Sequence, residues 1–308
     1  MARIAVGIPT FNGAMRVESI LKAISLRTPL LQAGDVEVVV VDDGSDKESE
    51  SRAVATRWGD TMPLRYVAHG NNLGVSAAWN TISRATDAPI VVIANDDVIV
   101  SSGGWLESLV HVLEHCPGVG VVGHSAHAFT LDDVSALLAG PDADMTVIPR
   151  DPVTKNRAPE RRGYEDAPNP ARVMAPAGML FAFRRADFEA VGGFDEVYTS
   201  GYEEACFGTS MAARGLIGLQ LTWPFVWHMW SATFIANPQI DAGERLGKGR
   251  VHYRKKWDVP AGVHEFEYTN PKFLGAIGPV EVSFLRKNSV VAHGVLAQDG
   301  SFKVIEVP

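Results

Sequence analysis

Short apolar runs, rich in valine and isoleucine, recur through the first hundred residues and stop abruptly at polar or glycine-containing residues. The sharpest case is Pro89-Ile90-Val91-Val92-Ile93-Ala94, which runs directly into Asn95-Asp96-Asp97. A β-branched run this short reads as a strand buried on both faces. Two adjacent carboxylates cannot sit unpaired in the middle of such a strand, because desolvating them costs too much. They are therefore expected where the strand leaves the sheet. In open α/β sheets that edge is where ligands bind. Two carboxylates there suit a hard divalent cation, and a cation suits a phosphate. The plainer alternative is that Asp96 and Asp97 only cap the next turn or helix.

The same pattern precedes and follows it. Ile4 to Ile8 is apolar and ends at Pro9-Thr10-Phe11-Asn12-Gly13, a turn-forming cluster. Val17, Ile20, Leu21 and Ile24 then fall at helical spacing within 15–27. Val36 to Val41 ends in Asp42-Asp43-Gly44-Ser45, and residues 47–58 are polar and helix-compatible. Leu64 to Ala68 ends at His69-Gly70-Asn71-Asn72-Leu73-Gly74, with a helix predicted from Val75 to about Ala85. This strand–helix alternation predicts a parallel sheet with crossover helices. Right-handed crossovers bring the ends of such strands to one edge, so the clusters at 9–12, 42–45, 70–74 and 95–97 are expected to converge.

Composition narrows the chemistry. The chain has 308 residues, of which 46% are hydrophobic and 21% charged, an ordinary globular balance sufficient for one large domain with an appendage. A net charge of -8 with no basic stripe counts against duplex binding. No G-x-G-x-x-G follows the first strand and no Walker A sequence occurs, so phosphates would be met by a metal rather than a glycine cradle. Cys116 and Cys206 have neither zinc nor disulfide-framework spacing, which fits a reducing compartment. The start of the chain shows no signal-peptide pattern, and no stretch approaches the roughly eighteen apolar residues of a spanning helix. A cytoplasmic protein without a transmembrane segment is the expectation.

Taken together, Ile8-Pro9-Thr10-Phe11-Asn12, Val41-Asp42-Asp43-Gly44-Ser45, Asn72-Leu73-Gly74 and Asn95-Asp96-Asp97 resemble glycosyltransferase family 2. The resemblance implies a GT-A fold, with a Rossmann-like, mostly parallel sheet flanked by helices, and a nucleotide-diphosphate-sugar donor. By that resemblance Pro9, Thr10, Asn12, Asn72 and Gly74 line the nucleotide, and Asp43 accepts a hydrogen bond from a base, typically uracil. Asn95-Asp96-Asp97 takes the family's D-x-D position. Asp97 is then the principal ligand of Mn²⁺ or Mg²⁺, with Asp96 near the ribose or the metal. Asn95 departs from the usual Asp, and an amide suits a sugar or ribose hydroxyl better than a metal.

Further along, Trp105 to Glu114 predicts an amphipathic helix and Val119 to Val122 a short strand. His124 and His127 have a metal-like spacing without a further ligand, and read as ordinary histidines. Seven prolines lie within 141–176, a long loop that reads as a lid, part of the acceptor site or a surface excursion. Gly178 to Arg185 and Gly192-Gly193-Phe194-Asp195-Glu196 resemble the second half of the family, with Asp195 and Glu196 expected to tie the turn. Ser200 and Glu203 fit a capping box for a helix that stops at Gly215. The family has a Glu-Asp pair here whose second carboxylate removes the acceptor proton. The resemblance therefore puts Glu204 in that role, with Glu203 as the alternative. It also makes His228 a third metal ligand or phosphate contact, while Trp223, Trp227 and Trp230 are either core or a sugar-stacking face.

The resemblance runs over about residues 3–235. It divides the chain into a catalytic region at 1–240, with a nucleotide-binding half at 1–115 and an acceptor half at 177–240, and a C-terminal region at 241–308. That last region is predicted as a charged helix to about 260 and then a small β appendage, from the alternation at 280–284 and 304–307. The expected activity is metal-dependent, inverting hexosyl or N-acetylhexosaminyl transfer from a UDP-sugar to an acceptor hydroxyl. A glycan is the first acceptor class, with a small molecule, a protein or a hydroxylated DNA base as others. A nucleotidyltransferase and a non-catalytic nucleotide-sugar-binding module are the competing classes. The first is disfavoured because Pro9 to Gly13 carries no Lys or Arg.

Overall fold

Ile4, Ala5, Val6 and Ile8 have no exposed surface, and Thr10 is nearly as buried. The run that reads as one apolar block in sequence is therefore a central strand, β1 (Ile4–Thr10). It lies between β2 (Val36–Asp42) and β4 (Ile90–Ala94), parallel to both, with Ile4 opposite Val36 on one side and Ile90 on the other. β3 (Leu64–Ala68) extends this parallel half beyond β2. Shared register carries all four C-terminal ends to the same edge of the sheet.

The computed structural model describes residues 2–100, 103–128, 170–229, 232–286 and 290–306. Residues 141–169 of the proline-rich loop and Trp230 lie outside the described residues, as do the side chains of His127 and Trp223. Among the described residues the main sheet has nine strands. Beyond β4 it continues through β8 (Leu180–Arg184), β6 (Val119–Ala128), β9 (Ile217–His228) and β5 (Val98–Val100), with β7 (Ala171–Val173) paired on β9. β4–β8 and β6–β8 are antiparallel and β6–β9 is parallel, so the second half is mixed. The strand foreseen at 119–122 runs on to Ala128.

Period-two alternation decides which helix covers which face. Val38, Val40, Val92 and Ala94 join Val17, Ile20, Leu21 and Ile24 of α1 (Ala14–Arg27) in one core. Val39, Val41, Val91 and Ile93 join Trp79 and Ile82 of α4 (Val75–Arg84) in the other. Between them α2 (Pro29–Gln32) and α3 (Glu48–Gly59) complete the crossovers. Gly7 marks the closest approach, since a Cβ there would stand 2.1 Å from Ile82 Cγ2.

After β4 come α5 (Trp105–His115), α6 (Arg185–Val191), α7 (Glu203–Ala212), α8 (Ala232–Ala236) and α9 (Ala242–Lys256). α10 (Glu265–Phe273) occupies a stretch whose alternation was too weak to predict it. A separate antiparallel sheet, β10 (Val280–Arg286), β11 (Val290–Leu296) and β12 (Phe302–Glu306), follows. It seats on α5 through His111 Nε2 and Ser283 Oγ, 2.8 Å apart. No helix among the described residues is long and apolar enough to cross a membrane.

Candidate active site

The strand ends enclose a cavity of about 290 Å³. Pro9, Thr10, Asp43, Asn72, Gly74, Asn95, Asp96, Asp97, Glu203 and His228 all line it, so most of the residues singled out from sequence are brought together. Asn12 and Glu204 do not line it.

Asp97 and His228 meet because β5 leaves the cluster and pairs with the end of β9. Val98 stands opposite His228 in that ladder, and Met229 N donates to Asp97 O at 2.9 Å. His228 Nε2 thereby lies 3.3 Å from Asp97 Oδ1, an oxygen that is buried and accepts no hydrogen bond. Asn95 Oδ1 is likewise buried without a partner. Buried acceptors left open in this way are uncommon and point to a missing donor or cation.

Asp96 differs from its neighbour. Thr10 Oγ1 donates to Asp96 Oδ2 at 2.6 Å, and Arg16 Nε donates to Oδ1 at 3.1 Å. Burial pushes Asp96 up to about 6, the Arg16 guanidinium opposes this, and the charge of Asp97 adds to it. Its carboxylate holds Arg16 in place as much as it faces the cavity, which leaves Asp97 as the carboxylate open to a cation. Removing Asp96 would strand a buried guanidinium. Asp96→Ala is therefore expected to cost about 3 kcal/mol or more in stability, read as a lowered urea unfolding midpoint.

Asp43 and Asn12 are both held in hydrogen-bond networks. Asp43 accepts from His69 Nδ1 at 2.7 Å, Leu73 N at 3.0 Å, Asn72 Nδ2 at 2.9 Å and Gly74 N at 2.8 Å. Two donors meet each oxygen, so Asp43 organises the 69–74 loop while it lines the cavity. Gly74 in that loop has φ 96° and comes so close to Thr199 that a Cβ would stand 2.6 Å from its Cα. Asn12, at φ 51°, bonds Asp46 and Asn237, clamping the first two strand-end loops to the end of α8.

The capping box is also absent. α7 starts at Glu203 itself, behind Tyr202 at φ 73°, and no side chain caps it. Glu203 is thus released from a structural duty and lines the cavity. Glu204, one residue on, lies over Gly178, whose imagined Cβ would be 3.3 Å from Glu204 Cδ. The turn that holds Gly178 reaches the cavity, because Asn95 N donates to Met179 O at 2.9 Å. The Oε2 atoms of both glutamates are buried without partners. Burial raises Glu203 well above the ordinary carboxylate range, and the neighbouring Glu204 charge adds to this. Burial raises Glu204 as well.

Sequence reasoning missed Arg16, Thr199, Thr233, Phe234, Ile240 and Arg245. Arg16 was hidden inside a helical pattern, and the last four fall in or next to a charged stretch that predicts a helix but marks no site residue. Other expectations hold in place. Asp195 bonds His252 and Lys256, each at 2.9 Å, and Glu196 accepts from Asn80, so the pair ties its turn. His124 is fully buried and bonded to Trp105 O at 2.9 Å, and Trp227 is core.

Among the described residues no three His, Cys, Asp or Glu side chains are grouped to hold a metal by themselves. Asp97, with His228 beside it, instead fits a hard cation that takes its remaining ligands from a diphosphate and water.

A family model described as Glycosyl transferase family 2 matches residues 5–189. Among solved structures, the mannosyltransferase PcManGT from Pyrobaculum calidifontis, in complex with GDP-Man and Mn2+, is similar at TM-score 0.58 and 21% identity, over 89% of this chain and 70% of that one. TarS 1-349 from S. aureus in complex with UDP is similar at TM-score 0.53 and 13% identity, over 89% of this chain and 70% of that one. At these identities the likeness is one of fold, the GT-A fold. No curated protein matches the chain by sequence.

Proposed function

The chain belongs to glycosyl transferase family 2 and is a glycosyltransferase of the nucleotide-sugar class, and from that premise we propose that it is metal-dependent and inverting. The observation that carries this reading is the open Asp97 carboxylate beside His228, in a cavity that also receives Glu203 and the ends of β1, β2 and β4.

Asp97 and His228 would hold Mn²⁺ or Mg²⁺, with Asp96 alongside. When bound, the cation supplies neutralisation of the charge that develops on the leaving nucleotide. Pro9, Thr10, Asn72 and Gly74 line the path of the nucleotide. Asn95, with an open acceptor, bonds a hydroxyl of the sugar or ribose. Glu203 holds the donor sugar from the cavity side. Glu204 takes the proton of the acceptor hydroxyl as its oxygen attacks the anomeric carbon. With Glu204 as the base and the acceptor oxygen as the nucleophile, a single displacement inverts the anomeric centre. UDP-sugars are the first donors to test, and a glycan is the first acceptor class.

Nucleotide release from a panel of nucleotide-sugars, with and without Mn²⁺ and without acceptor, tests this. Slow, Mn²⁺-dependent cleavage of one donor is expected. Cleavage that proceeds equally in chelator would remove the metal from the reading. Calorimetric binding of a donor that is never turned over, even with acceptors present, would make the protein a binding module.

A further inference from the structure

We infer that Tyr202 is a positioning residue for the two glutamates that follow it. Anchored by its side chain to α9 and α10, it fixes where α7 begins and how that helix is rotated, and so which carboxylate meets the donor. This rests on the donor reading above, and the anchor lies beyond the matched family region, which ends at 189.

The backbone before the glutamates is unusual. Gly201 and Tyr202 are both left-handed, at φ 84° and 73°. That suits the glycine and is uncommon for a bulky residue, so the surroundings must hold Tyr202 there. The usual device for fixing a helix start is missing, because no side chain caps α7. Glu203 and Glu204 stand in its first turn. Successive helical residues point about 100° apart, so the rotation of α7 decides which of the two faces the cavity.

Tyr202 is held from several sides. Its hydroxyl donates to Glu265 Oε1. Its ring stacks on Phe266, with centroids 5.4 Å apart, and leans on Tyr253 at 5.5 Å. Glu265 is buried and itself fixed, with Arg250 Nε at 2.9 Å and Arg254 Nη1 at 3.0 Å. Two guanidinium groups make strong, charge-assisted bonds to that one carboxylate. A second tie lies further along α7. Thr209 Oγ1 and the Tyr253 hydroxyl are 2.7 Å apart, and the same hydroxyl is 3.0 Å from Thr269 Oγ1 of α10. Thr209, Tyr253 and Thr269 are all fully buried. Two anchors spaced along one helix oppose its turning about its own axis.

What the anchors set is the place of the carboxylates. Glu203 lines the cavity beside Thr199 and Ser200, whereas Glu204 lies over Gly178, where a Cβ would stand 3.3 Å from Glu204 Cδ. The Oε2 atom of each is buried without a partner. Those oxygens hold neither side chain in place, which leaves the task to the start of the helix.

Tyr202→Phe removes one hydroxyl, keeps the stacked ring and leaves Glu265 paired with both arginines. In the full chain with Mn²⁺, this variant should cleave the donor identified by the nucleotide-release panel about tenfold or more slowly, since small misplacements of a reacting group are costly. It should bind that nucleotide-sugar more weakly. The matching nucleoside diphosphate should bind as in wild type, because it lacks the sugar that Glu203 meets. The acid limb of the pH–rate profile should move toward the ordinary carboxylate range as Glu204 leaves its buried place. A smaller folded fraction would lower the whole profile without moving it. Thr209→Val, which cuts the second tie with a side chain of similar shape, should show the same split, and it carries the comparison if Tyr202→Phe melts early. The binding split is read even where nothing is cleaved without acceptor. Wild-type cleavage, binding and pH profile in Tyr202→Phe would overturn the inference. Equal loss of nucleotide-sugar and nucleotide binding, with the acid limb unmoved, would also overturn it and make the bond merely structural. A wild-type protein that binds no nucleotide-sugar would bring down the donor reading itself, and this inference with it.

Discussion

Asp97→Ala is expected to lower transfer by about a thousandfold or more, the equivalent of several kcal/mol of charge stabilisation lost from the transition state. Nucleotide binding should fall as well and lose its Mn²⁺ dependence. The fold should hold, because Asp97 Oδ1 accepts no hydrogen bond and faces His228 Nε2 at 3.3 Å. Asp96→Ala provides the contrast. Its carboxylate is bonded to Thr10 and Arg16, so that variant should lose stability before chemistry is assayed. Wild-type turnover by a folded Asp97→Ala protein would remove the cation from this position.

Glu204→Gln is expected to retain donor binding and lose transfer by about 10²–10⁴-fold, the usual contribution of a positioned general base. Glu203→Gln should instead weaken donor binding, because Glu203 lines the donor cavity. The reverse pattern, with Glu203→Gln dead at normal donor affinity and Glu204→Gln active, would move the base one residue back. The acid limb of the pH profile gives a second readout. Burial raises Glu204, so the base is protonated, and the rate falls, at a higher pH than an ordinary carboxylate would give. Glu204→Gln should abolish that limb.

Stability moves in the opposite direction. A carboxyl raised on folding binds more protons in the native state, so stability is lost as pH rises from the unfolded value through the raised one. Removing the charge should therefore raise the melting temperature of Glu204→Gln above wild type at neutral pH. A variant that is inactive yet more stable is the signature of a group held against its own preference for the sake of function.

The alternation of strand and helix, the two-faced burial of β1, β2 and β4, and the gathering of their polar ends at one edge were all determined by the sequence. Those are local properties: β-branched runs, period-two and period-3.6 spacing, and glycine or carboxylate clusters at run ends. The Asn95-Asp96-Asp97 cluster was legible for the same reason, because carboxylates cannot be buried unpaired within a strand. Only the tertiary structure decided what each polar atom does. Asp96 and Arg16 are eighty residues apart in the chain, and nothing in either segment announces the other. Asp43 also organises the 69–74 loop, whose backbone donors lie about thirty residues further along the chain. Glu203 looked like an N3 capping residue, but Tyr202 takes up a left-handed turn and the helix starts at Glu203 itself. Arg245 reached the cavity from a charged stretch that predicts a helix but not the face it turns to the site. Hydrogen-bond capacity is spent on whichever donor the fold brings near, and long-range packing, which local pattern does not encode, selects that donor.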